Sequence, residues 1–396
     1  MHNYPSDPVY IWQQAQWRQT SPLLGAAPAF TWQTDLLKPM LDRVRLLQGR
    51  LLGVSESVSQ EQREAQLDTL VQNVLRTSEI EGEVLNAESV RSSVIRQLGL
   101  VKAGFVPSRQ HRETAQTSAL VELLIEATSQ YNEPLTFRAL CQWQAALFPE
   151  PPRYQNLIIG DLRGQAPMQV ISGRTDNPTV HFEAPPRQGL EQELQRFIDW
   201  FNQPSEGLDP LLRAGIAHLW LITLHPFDDG NGRVTRAVTD RALAQAEHQS
   251  IRFYSLSAAI MARRKEYYDI LEQSQKGPMD ITPWVQWFLS VLEDAISQGL
   301  QRFQRVLNKT RFWQRHAQTV LSERQIKVLN RLLDTQGEEF TQGINASKYM
   351  SLAKISKATA TRELADLVAK NCLSKLPGGG RSTRYTVAHD FTEIEK

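Results

Sequence analysis

Helical periodicity is the feature that most constrains how this chain of 396 residues can fold. Apolar residues recur every three to four positions over long stretches, whereas signals for β-strands are few. Five such stretches read LLKPMLDRVRLLQGRLLG, ALVELLIEATSQY, LEQELQRFIDWFN, PLLRAGIAHLWLITL and ITPWVQWFLSVLEDAISQGLQRFQRVL. The pattern predicts a mainly α-helical protein, and its length is sufficient for two or three domains.

Composition excludes several classes of protein. Hydrophobic residues make up 41% and charged residues 22%, which is typical of folded rather than disordered chains. The net charge of +1 selects no partner, so nucleic-acid binding would need a local basic patch. Cys141 and Cys372 lack metal-ligand spacing and are expected to be reduced, as in the cytoplasm.

The chain also lacks the usual signals for export or membrane insertion. Its first residues, MHNYPSDPVYIWQQ, have neither the basic start nor the apolar run of a signal peptide. The most apolar stretch, GIAHLWLITLHPF, is shorter than the roughly 20 residues that cross a bilayer. We therefore expect a cytoplasmic protein with no membrane partner.

One segment, residues 160–186, interrupts the helical pattern. Two extended runs, MQVIS and TVHFEA, flank the turn formers GRTDNP, which predicts a β-hairpin. A surface loop is the alternative. A hairpin that protrudes from a helical body could offer a strand edge to a partner chain.

The two ends of the chain differ from this body. Residues 1–45 contain Trp12, Trp17 and Trp32, and predict a small helical cap that packs onto the main domain at 46–305. Within residues 310–396, SERQIKVLNRLLD opens with a capping-box pattern. Two short helical patterns and the strand–turn–strand pattern CLSKLPGGGRSTRYTV follow, which predicts a winged helix-turn-helix domain.

Residues 345–385 of this domain are strongly basic. The stretch has eight basic and two acidic residues, a local charge of +6. The predicted recognition helix starts at a Ser356 cap, and the wing would place Arg381 and Arg384 beside a backbone phosphate. DNA binding and protein docking both remain open, because winged helices serve either purpose. The charged residues are Lys348, Lys354, Lys357, Arg362, Lys370, Lys375, Arg381 and Arg384, against Glu363 and Asp366.

The segment HPFDDGNGRVTR, residues 225–236, concentrates polar chemistry directly after a buried apolar helix. It forms a loop that leads into the N-terminus of the next helix, where free N–H groups favour an anion. Gly230 and Gly232 permit the backbone turns of an anion-binding nest, which the side-chain amide of Asn231 can fix.

Other residues of this segment have chemistry suited to a polyphosphate. Arg233 and Arg236 are three positions apart and supply two cations. Asp229 could hold Mg²⁺, which needs only one or two protein carboxylates when phosphates bind it. His225 has the pKa range of a general base, and Phe227 is expected to anchor the loop in the core.

The segment resembles the signature of the Fic family, His-x-Phe-x-Asp/Glu-Gly-Asn-Gly-Arg-x-x-Arg, without a departure. Fic enzymes transfer a nucleoside monophosphate, typically AMP from ATP, to a Ser, Thr or Tyr hydroxyl of a protein. The resemblance implies that His225 is the base, Asp229 the Mg²⁺ ligand, Arg233 a phosphate ligand and Arg236 the γ-phosphate ligand. It assigns the anion nest to Gly230, Asn231 and Gly232.

The resemblance extends over about residues 50 to 300. The hairpin at 160–186 resembles the family's flap, which aligns the target segment by strand addition. KEYYDILEQSQKG, residues 265–277, resembles the helix that contacts adenosine, so Tyr268 and Gln275 become candidate ligands. Core packing is the alternative for the pair Tyr267 and Tyr268.

A second motif, TSEIEGE at residues 77–83, resembles the family's inhibitory motif, Ser/Thr-x-x-x-Glu-Gly/Asn. Thr77 and Glu81 are four apart and would share a helix face, and Gly82 would end or kink that helix. The resemblance implies that Glu81 pairs with Arg236 and blocks the γ-phosphate position. Its place ahead of the catalytic motif implies the N-terminally autoinhibited class.

The sequence thus predicts an autoinhibited protein adenylyltransferase that depends on ATP and Mg²⁺ and also modifies itself. In some family members the inhibitory Glu supports removal of AMP, which the sequence leaves open. The alternative is a DNA-binding transcriptional regulator whose Fic domain senses nucleotide. Homodimers are common among similar proteins, although nothing in the sequence specifies an interface.

Overall fold

The computed structural model describes residues 10–388, apart from residues 22, 56–58, 109, 111–112, 151–155, 175–176, 204–206, 251–252, 335–342 and 378–382. The described part is mainly helical, as predicted, with two small β-hairpins. None of its helices is both long and apolar enough to cross a membrane.

Two compact units divide the chain. The first takes in Met1–Ser57 and Ala65–Leu300, and the second Val58–Glu64 and Gln301–Lys396. The elements are α1 (Thr34–Ser55), α2 (Ser59–Ile80), α3 (Ala87–Gln97), α4 (Ala115–Ser129), α5 (Phe137–Ala146), β1 (Gln169–Arg174), β2 (Asn177–Glu183), α6 (Leu190–Asn202), α7 (Pro210–Leu224), α8 (Asn231–Glu247), α9 (Leu256–Ala262), α10 (Arg264–Gln275), α11 (Thr282–Arg315), α12 (Glu323–Asp334), α13 (Ala346–Ala353), α14 (Lys357–Ala369), β3 (Leu373–Lys375) and β4 (Tyr385–Val387).

Helix α7 forms the centre of the first unit. Its start is specified locally, because the Asp209 side chain accepts a hydrogen bond from Leu211 N and Pro210 occupies the first turn. Every residue from position 211 to 224 is buried. Trp220 packs edge-on against Phe197, with ring centroids 5.3 Å apart. Truncation of such a buried aromatic residue to Ala costs about 3–5 kcal/mol.

Helix α8 packs along α7 and is buried over most of its length. Its Asp240 accepts a hydrogen bond from Asn73 Nδ2 of α2 at 2.7 Å. Ser255 Oγ in turn donates to Asn73 Oδ1 at 2.8 Å. These buried polar contacts fix α2, and the segment that follows it, relative to α8.

The predicted β-hairpin is confirmed, since β1 and β2 pair antiparallel. The strands continue into the predicted turn formers at 173–178, as far as Arg174 and Asn177. A β-bulge between Val170 and Ile171 shifts the register. Such bulges re-aim side chains, and they are over-represented next to active sites.

The N-terminal aromatic residues support this hairpin. Tyr10 packs edge-on against Phe182 at 5.4 Å, and Trp12 Nε1 donates to the Glu183 carbonyl at 2.8 Å. Trp17 is buried and packs against Phe30. This region is built from two short 3₁₀ turns and the start of α1, which continues through position 45. The domain limits predicted from the sequence stay predictions.

The second unit contains α12, α13, α14 and the β3–β4 hairpin around its own hydrophobic core. The predicted capping box is present, because Ser322 N donates to Gln325 Oε1 and Gln325 N to Ser322 Oγ. Ser356 caps α14 as predicted, accepting from Thr359 N. Arg381 of the predicted wing lies outside the described residues. The winged helix-turn-helix assignment stays a prediction.

Candidate active site

His225 lies at the C-terminal end of α7, in a left-handed backbone conformation with φ of 48°. Its Nδ1 lies 3.0 Å from the Ile222 carbonyl oxygen, which can only accept. Nδ1 therefore carries the proton, and Nε2 of the neutral ring is left as an acceptor. Burial lowers the pKa of His225, and the Arg163 guanidinium lowers it further. The neutral form that a general base requires is thus favoured.

Arg163 also supports the backbone of this loop, a role that the motif did not reveal. Its Nε donates to the His225 carbonyl at 2.9 Å, and its Nη2 donates to the Pro185 carbonyl at 2.5 Å. The side chain is buried. Arg163 thus ties the histidine to the segment that follows the hairpin.

Asn231 fixes the turn as predicted. Its Oδ1 accepts from Phe227 N at 2.9 Å, and its Nδ2 donates to the Phe227 carbonyl at 2.7 Å. Phe227 is fully buried, in agreement with its predicted anchoring role. Gly230 has φ of 88°, and a Cβ there would lie 2.7 Å from Leu147 Cδ1. A side chain at this position would strain the backbone and would force the Leu147 methyl group to shift.

The two adjacent aspartates have different roles. Asp228 accepts hydrogen bonds from Ile158 N and Gly164 N, so it organises the loop. The Asp229 side chain is 56% exposed. The described residues contain no group of three or more His, Cys, Asp or Glu that could hold a metal ion. Asp229 still fits Mg²⁺, which is bound largely by substrate phosphates and water when one carboxylate is present.

Arg236 meets the end of α2, as the inhibitory motif predicted. Its Nε donates to Thr77 Oγ1 at 2.8 Å, and its Nη2 donates to Glu81 Oε1 at 2.8 Å. The Arg236 side chain is only 1% exposed. Burial opposes its charge, but Glu81 outweighs burial and raises the pKa of Arg236.

Glu81 itself lies just beyond the helix. The sequence predicted that Thr77 and Glu81 share a helical face, whereas α2 ends at Ile80. Gly82 adopts φ of 85° and turns the chain, which confirms that it ends the helix. A Cβ at Gly232 would lie 2.2 Å from Glu81 Oε1, so this approach requires glycine in the motif.

Arg233 has a partner that sequence reasoning missed. Its Nη1 lies 2.9 Å from both carboxylate oxygens of Glu83. The Arg233 side chain is 4% exposed, and its guanidinium lies 5.4 Å from the centre of the Phe148 ring. The available signal was the last acid of TSEIEGE, two residues after Glu81.

A cavity of about 520 Å³ adjoins the motif. Glu81, His225 and Asp229 line it, together with the three motif residues Gly230, Asn231 and Gly232. Neither Arg233 nor Arg236 is among its described lining residues. Glu81, which binds Arg236, is part of the described lining, whereas Glu83, which binds Arg233, is not.

Helix α10 forms another wall of the cavity. Tyr268 and Gln275 both line it, so the structure brings the two predicted ligands to the same site. Gln275 Nε2 donates to Thr223 Oγ1 at 3.3 Å, and Tyr268 OH donates to the Ile80 carbonyl at 3.2 Å. Tyr267 belongs to the core, with its hydroxyl 2.9 Å from His218 Nε2. Their roles as adenosine ligands stay predictions.

The hairpin adds a further group that the sequence did not indicate. Ser172 Oγ lies 2.5 Å from His181 Nε2, and His181 Nδ1 lies 2.7 Å from Glu272 Oε2 on α10. All three residues line the cavity. His181 on β2 and Glu272 on α10 are 91 positions apart, so local spacing in the sequence could not indicate their contact. This hydrogen-bonded group connects the hairpin to α10.

Comparison with known families gives two matches. The Fic/DOC family model matches residues 134–243. A model described as a domain of unknown function, DUF4172, matches residues 10–100.

The chain is also similar to curated proteins and to solved structures. The protein adenylyltransferase Fic of Nematostella vectensis is 23% identical over 270 residues, which cover 67% of this chain and 57% of that protein. The protein of the same name from Drosophila willistoni is 33% identical over 125 residues, 31% of this chain and 24% of its own. A crystal structure of a Fic family protein from Desulfovibrio desulfuricans G20 has a TM-score of 0.49 at 18% identity, covering 88% of this chain and 96% of its own.

The matched segment contains the catalytic candidates described above. Residues 134–243 include β1, β2, α7 and the whole of HPFDDGNGRVTR. The chain spans 57% of the first of these relatives and 24% of the second. Residues 134–243 of this protein are therefore a Fic/DOC family domain.

Proposed function

We propose that this protein transfers AMP from ATP to a Ser, Thr or Tyr hydroxyl of a protein, itself included, and that the turn after α2 inhibits the transfer. One observation carries the proposal. A histidine with an open acceptor nitrogen lies in the same cavity as a glycine-rich turn at the N-terminus of α8. That arrangement combines a base with a site for phosphate.

The transfer uses His225 as the base. The acceptor hydroxyl gives its proton to Nε2 of His225, and its oxygen forms a bond to the α-phosphorus. The bond from that phosphorus to the β-phosphate oxygen breaks, and pyrophosphate leaves. Ile222 holds the ring through Nδ1, so the nitrogen that accepts the proton is fixed in advance.

The first turn of α8 stabilises the phosphates. The helix dipole and the N–H groups of the first turn after Gly230 favour negative charge there, whereas the Gly230 N–H itself donates to Asp229 Oδ1 at 2.6 Å. Arg236 and Arg233 supply positive charge for the departing pyrophosphate once their carboxylate partners are displaced. Asp229 is the residue that would hold Mg²⁺, which neutralises phosphate charge when bound.

The inhibited state follows from the contacts of Arg236. Glu81 occupies Nη2 at 2.8 Å, and Thr77 occupies Nε. A γ-phosphate cannot take the position that the Glu81 carboxylate holds. A charge-assisted pair of this kind contributes about 1.5–3 kcal/mol, so its removal should change the rate of transfer markedly.

The position of a radioactive label in ATP shows directly which part of the nucleotide is transferred. We expect the Glu81→Gly variant, incubated with Mg²⁺ and ATP labelled at the α-phosphate, to gain covalent label faster than the wild-type protein. ATP labelled at the γ-phosphate should leave no label, because pyrophosphate departs. Equal labelling of wild type and variant would contradict autoinhibition, and label from the γ-phosphate would contradict nucleotidyl transfer.

The start of α14 favours a second function for the second unit, which is the binding of duplex DNA. Lys357, Thr361 and Arg362 are all exposed there. We expect Lys357→Ala with Arg362→Ala to weaken duplex binding and reduce its salt dependence, measured by fluorescence anisotropy. Exposed Lys327 on α12 provides the control, as Lys327→Ala. If Lys327→Ala weakens duplex binding as much as the double substitution in α14 does, α14 is not the recognition element.

A further inference from the structure

We propose that the turn after α2 blocks the phosphate site at two points, and that Glu83 is the second inhibitory residue, acting on Arg233. The inference rests on the proposed function, which places nucleotide phosphates at both motif arginines. Glu81 occupies Arg236, and Glu83 occupies Arg233. The two acids belong to one turn and flank Gly82.

The Arg233–Glu83 contact has the geometry of a competitor for phosphate. Nη1 of Arg233 lies 2.9 Å from both oxygens of the carboxylate. A guanidinium that is 4% exposed remains charged and needs an anion, because burial of an unpaired charge is costly. Glu83 meets that need in this structure, and a phosphate at Nη1 would have to displace it.

Other groups around the pair hold each partner in place. The Phe148 ring supports the guanidinium, and the Asp229 carboxylate lies 3.8 Å from Arg233 Nη2. Gln116 Nε2 of α4 donates to Glu83 Oε2 at 3.4 Å. Of these groups only Glu83 belongs to the inhibitory turn, so movement of the turn would release Arg233 and leave its other contacts in place.

Because both acids belong to one turn, the two arginines of α8 are blocked by the same segment. Gly82, with φ of 85°, turns the chain between the two acids, so that each carboxylate reaches a different arginine of the motif. A triphosphate can compete with both carboxylates at once. Glu81→Gly frees only Arg236 and leaves Arg233 paired, so this variant is expected to be only partly released.

Calorimetric titration with Mg²⁺ and ATP tests the proposal on the full chain. The variants are Glu81→Gln, Glu83→Gln and the double substitution, each of which keeps side-chain size and removes charge. We expect Glu83→Gln to bind ATP about tenfold more tightly than wild type, and the double variant more tightly than either single one. Glu79→Gln is the matched control, since Glu79 lies in α2 and pairs with Arg76 instead.

A double-mutant cycle shows whether the effect acts through Arg233. In an Arg233→Gln background, Glu83→Gln should no longer change ATP affinity. Unchanged or weaker ATP binding by Glu83→Gln alone would overturn the proposal, and so would a gain that persists without Arg233. Thermal unfolding of each variant shows whether it is folded. Glu83→Ala is a second substitution at the same position, for use if Glu83→Gln does not fold.

The binding measurement is independent of catalysis. If the affinities shift as expected while no variant becomes labelled by ATP, the proposed transferase activity fails and the second block stands. If Glu81→Gly is labelled but Glu83→Gln has wild-type affinity, the transferase activity stands and the role of Glu83 is wrong.

Discussion

At the scale of single residues, the proposed chemistry depends on which nitrogen of His225 carries a proton. The Ile222 carbonyl selects Nδ1, and burial lowers the ring's pKa. The carbonyl fixes which nitrogen accepts a proton, although its hydrogen bond opposes the fall in pKa, and burial outweighs it and favours the neutral ring. A left-handed backbone at the end of a buried helix is what aims the ring at the cavity.

The lowered pKa of His225 predicts the pH dependence of transfer. Only the neutral ring accepts a proton, so the rate is lost as the pH falls through the pKa of the folded protein. Because that pKa lies below the ordinary value of about 6.5, the Glu81→Gly variant should keep most of its rate at pH 6.5. Initial rates of AMP incorporation between pH 5 and 8 measure this. A midpoint at or above pH 6.5 would contradict it.

Removal of the Asn231 side chain tests the turn. Asn231→Ala leaves the buried N–H and carbonyl of Phe227 without their partners, which costs about 1–3 kcal/mol for each such group. We expect a lower urea midpoint and a slower transfer in the Glu81→Gly background. Asn132→Ala, at an exposed position, is the control. Equal midpoints for the two variants would show that the turn does not depend on Asn231.

At the scale of secondary-structure elements, α10 holds both the hairpin and the end of α2. The Ile80 carbonyl accepts from Arg264 Nε at 2.7 Å and from Tyr268 OH. On the other side, Glu272 accepts from His181 of β2. Burial would raise the pKa of Glu272, but hydrogen bonds from Lys276 and His181 outweigh it and lower the pKa.

The Glu272 contact predicts the mobility of the hairpin. Glu272→Gln removes the charge that binds His181 and Lys276, so amide exchange in β1 and β2 should become several-fold faster. Hydrogen exchange with mass spectrometry measures it, with Asp269→Asn as the control, because Asp269 pairs with exposed Lys265 on the same helix. Equal exchange in the two variants would exclude Glu272 as the anchor.

At the scale of the whole molecule, the periodicity of apolar residues was sufficient to predict a mainly helical protein. The two extended runs MQVIS and TVHFEA were sufficient to predict the hairpin. HPFDDGNGRVTR was informative because its chemistry lies within twelve consecutive positions. The partners of its arginines were harder to foresee. Glu83 is 150 positions from Arg233, and only the packing of α2 beside α8 brings them together.

The same limit applies to the hairpin and to the first helix. His181 and Glu272 meet because β2 lies against α10, which no local pattern specifies. Helix α1 runs through position 45 without a break, and no Pro or Gly marks a boundary at that point. The sequence therefore predicts motifs made of neighbouring residues, whereas contacts between distant elements can be identified only from the three-dimensional structure.

We infer that His225 is the base of a nucleotidyl-transfer site and that the turn after α2 inhibits this site. Intact-mass and peptide mass spectrometry of Glu81→Gly after exposure to Mg²⁺ and ATP tests it most directly, with Glu81→Gly/His225→Ala alongside. The account predicts the added mass of AMP on a Ser, Thr or Tyr of the first protein and none on the second. Equal modification of both proteins, or of neither, would contradict it.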